Sequence, residues 1–528
     1  MRDLPKTREY LADWVKKDPD TVEHILTVAL SSKTGKPLNL MLRGRSSVGK
    51  SWPVSVILHL FPNATIISGA TPKNFFYAAG EKLDASGNSI EDRLNEINRE
   101  LAQLNKPAST LRAEDSLRKA ELQQERRDLL SNARILLDFT GKIFGVLDSV
   151  PQELWDTLKT ALSHDSYEQE YRTVVEGRQR IVLMRGWPCI VYATAANEER
   201  RFGWEQIRNR FVIITPAQTT EKYESANELT SNLYGLPGIA LQALYPKKKL
   251  EDAKAEIARA LELITTLRKE TGTSDDDPTA NIVFNAFRHY LNQTFPHLVG
   301  DDMRNYRYLH AYINVSALMN AEERPRLVVE GKQVAVVATW PDVERAVGLV
   351  GKDLTPVTAD KIAFYKKWIS PMWEDRPGDP KPAFTVRDLA EYAQKRGQSL
   401  SRRSVKDTFL DVFVDSGLLT EENPERKQNE PIQYRPLTDP DQIDQIVAGF
   451  AIAQPPEPEM VNAAISECGG LLAGKQAWWL IDGQTVSFGD LGAYLHLSPH
   501  DRIELPQANG AQSVTQTGNA QQNAGVRP

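Results

Sequence analysis

LNLMLRGRSSVGKS, residues 38–51, decides how the chain is read. Leu38, Leu40 and Leu42 alternate into a brief buried strand, and the run stops at Arg43-Gly44. GRSSVGKS, Gly44 to Ser51, follows at once and has the spacing G-x-x-x-x-G-K-[ST]. In such a segment the glycines let the backbone fold back, successive N–H groups turn inward, and the helix that opens behind them adds its positive dipole end. That arrangement is built for phosphate. Gly44, Arg45, Ser46, Ser47, Val48 and Gly49 are expected to form the cradle, Lys50 to reach the β and γ phosphates, and Ser51 to ligate Mg²⁺. The nucleotide expected is ATP. The helix behind the loop runs to His59, and Pro53 is tolerated because the first helical turn has no partner for its missing N–H.

Working outward, residues 1–36 read as an N-terminal helical segment and residues 37–220 as an α/β core. Thr65 to Ser68 is the next strand, and TPKNFFYAAG is a helix with Thr71 as N-cap and Gly80 as stop. From 89 to 132, Ile90, Leu94, Ile97, Leu101 and Leu104 step by four and three, then break at Lys106-Pro107, which predicts a helical hairpin insertion. Ile135–Asp138 and Ile143–Asp148 are strands around Thr140-Gly141-Lys142, followed by a helix over Pro151–Ser163. Residues 167–185 form a β-hairpin around Glu176-Gly177-Arg178, with Arg178 at its tip. Cys189–Ala193 and Phe211–Ile214 complete the strands, and 221–374 is expected to be a mostly helical lid region. EDRPGDPKP, 374–382, is a linker to a compact unit at 383–437, and QPPEPE is a second linker to a small accessory domain at 461–505. The tail at 507–528 is polar, with almost no apolar content, and is expected to be disordered.

The bulk properties narrow the function. A chain of 528 residues with 41% hydrophobic content can bury several cores. With 64 Lys+Arg against 70 Asp+Glu it has no overall positive field, so any nucleic-acid contact must be local. Cys189 and Cys468 are the only cysteines, which argues against a disulfide framework or a zinc site. The opening MRDLPKTREYLADW is charged and periodic, and no apolar run reaches the roughly 18 residues a membrane span needs. A cytoplasmic protein with no membrane partner is expected.

A carboxylate at a neighbouring strand end is needed for the Mg²⁺ shell. Asp148 is the first choice and Asp138 the second. Ser149 occupies the next position, where many such enzymes carry a glutamate, so Glu153 and Asp138 remain as possible general bases. Thr194 or Asn197, after a central strand, is where a γ-phosphate sensor would sit. Arg208 and Arg210 precede a strand, and Arg304 and Arg307 begin an amphipathic helix; such guanidinium groups stabilise transferring phosphoryl charge, often from a neighbouring subunit.

With these pieces in order, residues 37–350 resemble the AAA+ ATPases. The hairpin at Tyr167–Arg185 resembles the pre-sensor-1 β-hairpin of superfamily 3 viral helicases and minichromosome maintenance helicases. LSHDSYEQEYRTV and RGWPCIVYATA are similar to helicase-like ATPases encoded beside primases on mobile elements. The resemblance implies Lys50, Ser51 and Asp148 as nucleotide and Mg²⁺ contacts, Thr194 or Asn197 as sensor 1, Arg210 as the arginine finger and Arg307 as sensor 2. It also implies a ring, of six subunits by analogy, with Arg178 and Arg180 touching single-stranded DNA in the pore. Ser149 is the departure from the pattern.

Residues 383–437 resemble a winged helix. Ser401 caps a helix with Val405, Phe409, Val412 and Phe413 as its buried stripe and Arg402, Arg403 and Lys406 as candidate contacts to duplex DNA. Basic and acidic residues over Thr385–Leu437 number nine each, which leaves a protein-docking role open. The expected function is an ATP-driven DNA translocase or helicase-like motor in replication or processing of a mobile element. The alternatives are an ATP-switched DNA-binding adaptor that recruits a nuclease, primase or integrase, and an NTPase of antiviral defence.

Overall fold

The computed structural model describes residues 4–44, 48–67, 80–84, 86–104, 113–148, 150–175, 178–194, 207, 210–271, 279–295, 302–351, 359–415, 418–423, 430–437, 452 and 454–495. Arg45, Ser46, Ser47, Ser149, Asn197, Arg208, the helix expected from Thr71 and the 507–528 tail lie outside the described residues.

Helices α1 (Pro5–Trp14) and α2 (Pro19–Ser31) lead into β1 (Leu40–Leu42); α3 (Ser51–Leu58) then leads to β2 (Ala64–Ile67). After β3 (Glu81–Leu83) come α4 (Glu91–Gln103) and α5 (Ala113–Asn132), then β4 (Arg134–Asp138), β5 (Ile143–Val146) and α6 (Gln152–Ser163). β6 (Glu168–Val175), β7 (Arg178–Arg185), β8 (Cys189–Ala193) and β9 (Val212–Ile214) follow.

β1, β2, β5, β8 and β9 form an all-parallel sheet in the order β2-β5-β8-β1-β9. β5 and β8 are buried at every position, as strands covered on both faces must be. The period of two divides their side chains between two cores. Leu40, Leu42, Ile143, Cys189 and Val191 face one core with α2 and α3, whereas Met41, Phe144, Ile190 and Tyr192 face another with Trp155 and Leu158 of α6. α2 is buried along ten positions because it lies between this sheet and later helices. The N-terminal segment is therefore part of the main core.

The two strands expected around Thr140-Gly141-Lys142 belong to different sheets. β4 joins β3, β7 and β6 in the order β3-β4-β7-β6, next to the expected helical hairpin of α4 and α5. That helical hairpin is held by Arg93–Glu125 and Arg118–Glu100 ion pairs. β6 and β7 pair over their full length, from Glu168↔Arg185 to Val175↔Arg178. Arg178 is thus the first paired residue of the second arm, with only Glu176 and Gly177 between the arms, instead of the tip residue expected.

Beyond β9 the chain enters α7 (Thr220–Gly235), α8 (Gly238–Leu244) and α9 (Lys247–Glu270). Among the described residues, 221–374 is mostly helical, as expected, and it also carries strands. It contains β10 (Val283–Asn285), α10 (Asp302–Met319), β11 (Arg326–Val329) and β12 (Lys332–Ala338), then α11 (Trp340–Val350). The expected accessory domain supplies the rest of the same sheet: β15 (Ala477–Ile481) pairs antiparallel with β11, and β16 (Gln484–Val486) lies outside it. Trp479 is fully buried there against Phe284 and Phe488. Residues 477–486 therefore complete a mixed sheet and a core begun near residue 283.

Residues 359–437 have a core of their own. It begins earlier than the expected boundary at 383, because Phe364 stacks on Phe409 with ring centroids 3.8 Å apart and Tyr365 meets Phe413 at 5.2 Å. The helix at 402–415 buries Val405, Leu410 and Phe413, and β13 (Leu419–Glu421) pairs antiparallel with β14 (Tyr434–Pro436). The chain is a mixed α/β protein with a parallel sheet, and among the described residues no helix is long and apolar enough to cross a membrane.

Candidate nucleotide site

Because all five strands of the first sheet run the same way, the segments after β1, β5 and β8 emerge at one edge, the usual place for a ligand crevice in a parallel sheet. The local sequence makes the first of these loops. Gly44 has φ +153°, and a Cβ there would come within 2.8 Å of a Val48 methyl; Gly49 has φ +78°, a region that disfavours any side chain. Lys50 folds back over the loop and its Nζ donates to the Gly44 carbonyl at 2.8 Å. Partial desolvation lowers the Lys50 pKa from its ordinary value. The Lys50 cation is thereby held against the start of the loop, where phosphate binding would need it.

Ser51, the first residue of α3, brings its hydroxyl to 3.4 Å from the Leu147 carbonyl. This contact joins the loop to the end of β5, one residue before Asp148, whose carboxylate is exposed. Asp138 is elsewhere: it ends β4 in the second sheet, and its Oδ1 accepts the Thr140 N–H at 2.9 Å as a turn cap. The two sequence candidates therefore belong to different sheets, and Asp148 is the one that adjoins the Ser51–Leu147 contact. Glu153 is exposed in the first turn of α6, which starts shortly after Asp148. Thr194 is buried at the end of β8, its N–H donating to Leu42 O at 3.1 Å, so it lies between the ends of β1 and β5.

Arg210, Arg304 and Arg307 are not brought to this edge. Arg210 precedes β9, and its Nε donates to Lys159 O at 3.1 Å and to Ser163 Oγ at 2.5 Å, which ties it to the last turn of α6. Burial, reinforced by the Arg304 charge, lowers its pKa. Arg210, Arg304 and Arg307 line a cavity of about 870 Å³ with Lys36 to Asn39, the residues that enter β1. β1 thus runs from this cavity to the phosphate-type loop, and the two sites lie at opposite edges of the sheet.

His164, which is not among the site residues expected from the sequence, also faces this cavity. It caps α6 in the left-handed conformation, φ +58°, and stacks on Trp187 with centroids 4.6 Å apart. Desolvation, helped by the Arg307 and Lys36 charges, pushes its pKa down to about 3, and among the described residues its enclosed Nε2 has no hydrogen-bond partner. In the sequence it stands within LSHDSYEQEYRTV, between a helix and a β-rich arm. Arg268 and Arg288 also line the cavity, but they come from residues distant in sequence and carried no local signal.

Arg178 and Arg180 lie on β7, and their side chains are outside the described residues. Arg402 and Arg403 are exposed in the first turn of the 402–415 helix, where Ser401 Oγ accepts from Ser404 N. Lys406 is bonded to Asp411 at 2.8 Å, so part of its charge is already committed. Among the described residues no group of three or more His, Cys, Asp or Glu side chains could hold a metal.

Compared with known proteins, the chain matches no family model, and no curated protein matches it.

Proposed function

We propose that the chain is an ATPase of the AAA+ type that works as a ring on DNA, a translocase or helicase-like motor. The observation that carries this reading is the joined geometry of Gly44, Gly49, Lys50 and Ser51 with the strand end at Leu147-Asp148. These residues fit a nucleoside triphosphate with Mg²⁺: Lys50 supplies the cation over the cradle, and Ser51 and Asp148 supply the oxygen donors a small divalent ion prefers. Bound Mg²⁺-ATP supplies the phosphoryl chemistry. Thr194, buried between the two strand ends, is the sensor candidate on this side.

Arg210 and Arg307 support a ring in a different way. They line the cavity at the opposite sheet edge, away from their own phosphate loop, so they can act on phosphoryl charge only if another copy presents it. The 168–185 hairpin supports DNA as the substrate, since it extends a second sheet beside the ATPase core and carries Arg178 and Arg180 near its turn. The 383–437 unit, read as a winged helix, offers Arg402 and Arg403 to duplex DNA.

Ser149 favours a second reading. With no glutamate beside Asp148, slow hydrolysis would suit an ATP-switched adaptor that recruits a nuclease, primase or integrase. The two readings separate in one experiment: ATP turnover with and without single-stranded DNA, alongside strand displacement, for the wild type and for Arg178→Ala with Arg180→Ala. A motor is stimulated by DNA, displaces a strand, and loses both properties in the double variant while keeping basal turnover. Its salt slope for DNA binding also falls, by about 0.7 for each phosphate that is no longer neutralised. Unstimulated turnover with no displacement by the wild type sinks the motor reading and leaves the adaptor.

A further inference from the structure

The side chain that follows Ser51 has no place in phosphate binding. Trp52 lies in the first turn of α3 with 46% of its surface exposed, an unusual position for an indole beside a catalytic-type loop. Its Nε1 donates to the Trp14 carbonyl at 2.8 Å, so the ring is oriented by a hydrogen bond. The Trp14 ring sits 6.2 Å from it, centroid to centroid, and is itself backed by Tyr10 at 6.2 Å and Tyr245 at 5.2 Å. The result is an aromatic surface with one face open.

The segment bearing Trp14 is held in place. Lys17 takes the left-handed conformation at φ +51°, and the next residue, Asp18, is buried, with its carboxylate 2.5 Å from Lys222 Nζ and 3.2 Å from Ala217 N. Asp18 therefore ties the α1–α2 connection to the chain just beyond β9. An aromatic surface fixed from two sides loses little freedom when something stacks on it.

We propose that Trp52, supported by Trp14, forms the base-binding end of the nucleotide site and that it recognises the base by stacking. The inference rests on the nucleotide reading above. In that reading Lys50 takes the β and γ phosphates and the opening of α3 takes the α phosphate, so the sugar and base leave the loop beside the first turn of α3. Trp52 is the first side chain there. Stacking uses the π face that every base possesses and needs no edge-specific hydrogen bonds. ATP and GTP therefore bind with similar affinity, pyrimidine triphosphates bind more weakly because they offer less stacking area, and inorganic tripolyphosphate gains nothing from the tryptophan.

The test compares the affinity of the full-length protein for ATP and for tripolyphosphate, each with Mg²⁺, in the wild type, Trp52→Ala and Trp52→Phe. One lost base stack corresponds to about five- to 150-fold in affinity. Trp52→Ala should lose ATP affinity in that range with tripolyphosphate binding unchanged, and Trp52→Phe should keep most of it. An equal loss for both ligands overturns the proposal and makes Trp52 a support of the loop; so does unchanged ATP binding in Trp52→Ala. A wild type that binds neither ligand overturns the nucleotide reading itself, and this inference with it.

Discussion

At one edge of the parallel sheet the strands end in a glycine loop, a buried threonine and an exposed aspartate; at the other they begin beside a cavity lined by Arg210, Arg304 and Arg307. The first edge has backbone donors, one lysine and a carboxylate, which suits a bound polyphosphate and its cation. The second gathers Lys36, Arg210, Arg268, Arg304 and Arg307 around one cavity. Arg210 is fixed to Lys159 and Ser163, so a rotamer change cannot carry it across the sheet. On the function proposed above, the two edges are the two parts of a phosphoryl-transfer site, and the site would be completed when the edge of one copy meets the opposite edge of another.

Arg210→Ala strikes hardest at this comparison. If the second edge serves a neighbour, turnover falls on the order of 10³-fold or more, the scale of a lost arginine finger, while nucleotide binding stays at the wild-type level. Arg210→Lys, which keeps the charge but not the fork, should recover little. Mixing Arg210→Ala with Lys50→Ala subunits should restore part of the turnover, because some interfaces then pair an intact loop with an intact arginine. The measurement is steady-state hydrolysis after verified subunit exchange. Absence of any recovery breaks the link between the two edges.

Next in size is the choice between carboxylates within the first edge. Asp148→Asn should lower turnover on the order of 10²-fold with nucleotide still bound, the effect of weakening a cation shell. Asp138→Asn should leave turnover near wild type, since Asp138 caps a turn in the second sheet. The reverse result would move the site to the end of β4 and discard the Ser51–Leu147 contact as its marker.

That choice also marks how far the sequence could be read. β1, the loop and α3 were legible because each signal is local: alternation, two glycines in unusual conformations, and a helix that starts at Ser51. The helical hairpin and the arms of the β-hairpin were legible for the same reason, apart from the position of Arg178 at the turn. ILLD and IFGVLD, by contrast, look alike as apolar runs, and only their partners separate them: β4 pairs with β7, and β5 with β2 and β8. The pairing of β11 with β15 was invisible because Arg326 meets Leu480 across the whole 359–437 unit. No periodicity reports a partner that far along the chain. The cavity at the second edge was hidden likewise, assembled from Lys36, His164, Arg210, Arg268, Arg288 and Arg307.

The smallest effect concerns His164 and tests whether the second edge is charged as described. The ring is stacked on Trp187, its Nε2 is enclosed, and Arg307 and Lys36 oppose a proton there, whereas the neighbouring Asp165 is exposed. With the folded pKa down at about 3 against an ordinary 6.5, the unfolded chain takes up a proton that the folded chain refuses. The stability His164 contributes is therefore complete above about pH 6.5 and is lost as the pH falls toward 3, at up to about 1.4 kcal/mol per pH unit. His164→Asn removes the titration and still accepts the left-handed backbone at this helix end. At pH 7.5 the variant should be slightly less stable, by the lost ring stack of about 0.5–1.5 kcal/mol. By pH 5.5 the wild type should have lost about as much, so the two melting curves converge or cross. Thermal unfolding followed from pH 7.5 to 5 reads this directly. Parallel pH slopes for the two proteins would mean that His164 titrates normally, and that the cavity edge is wetter and less positive than its lining residues indicate.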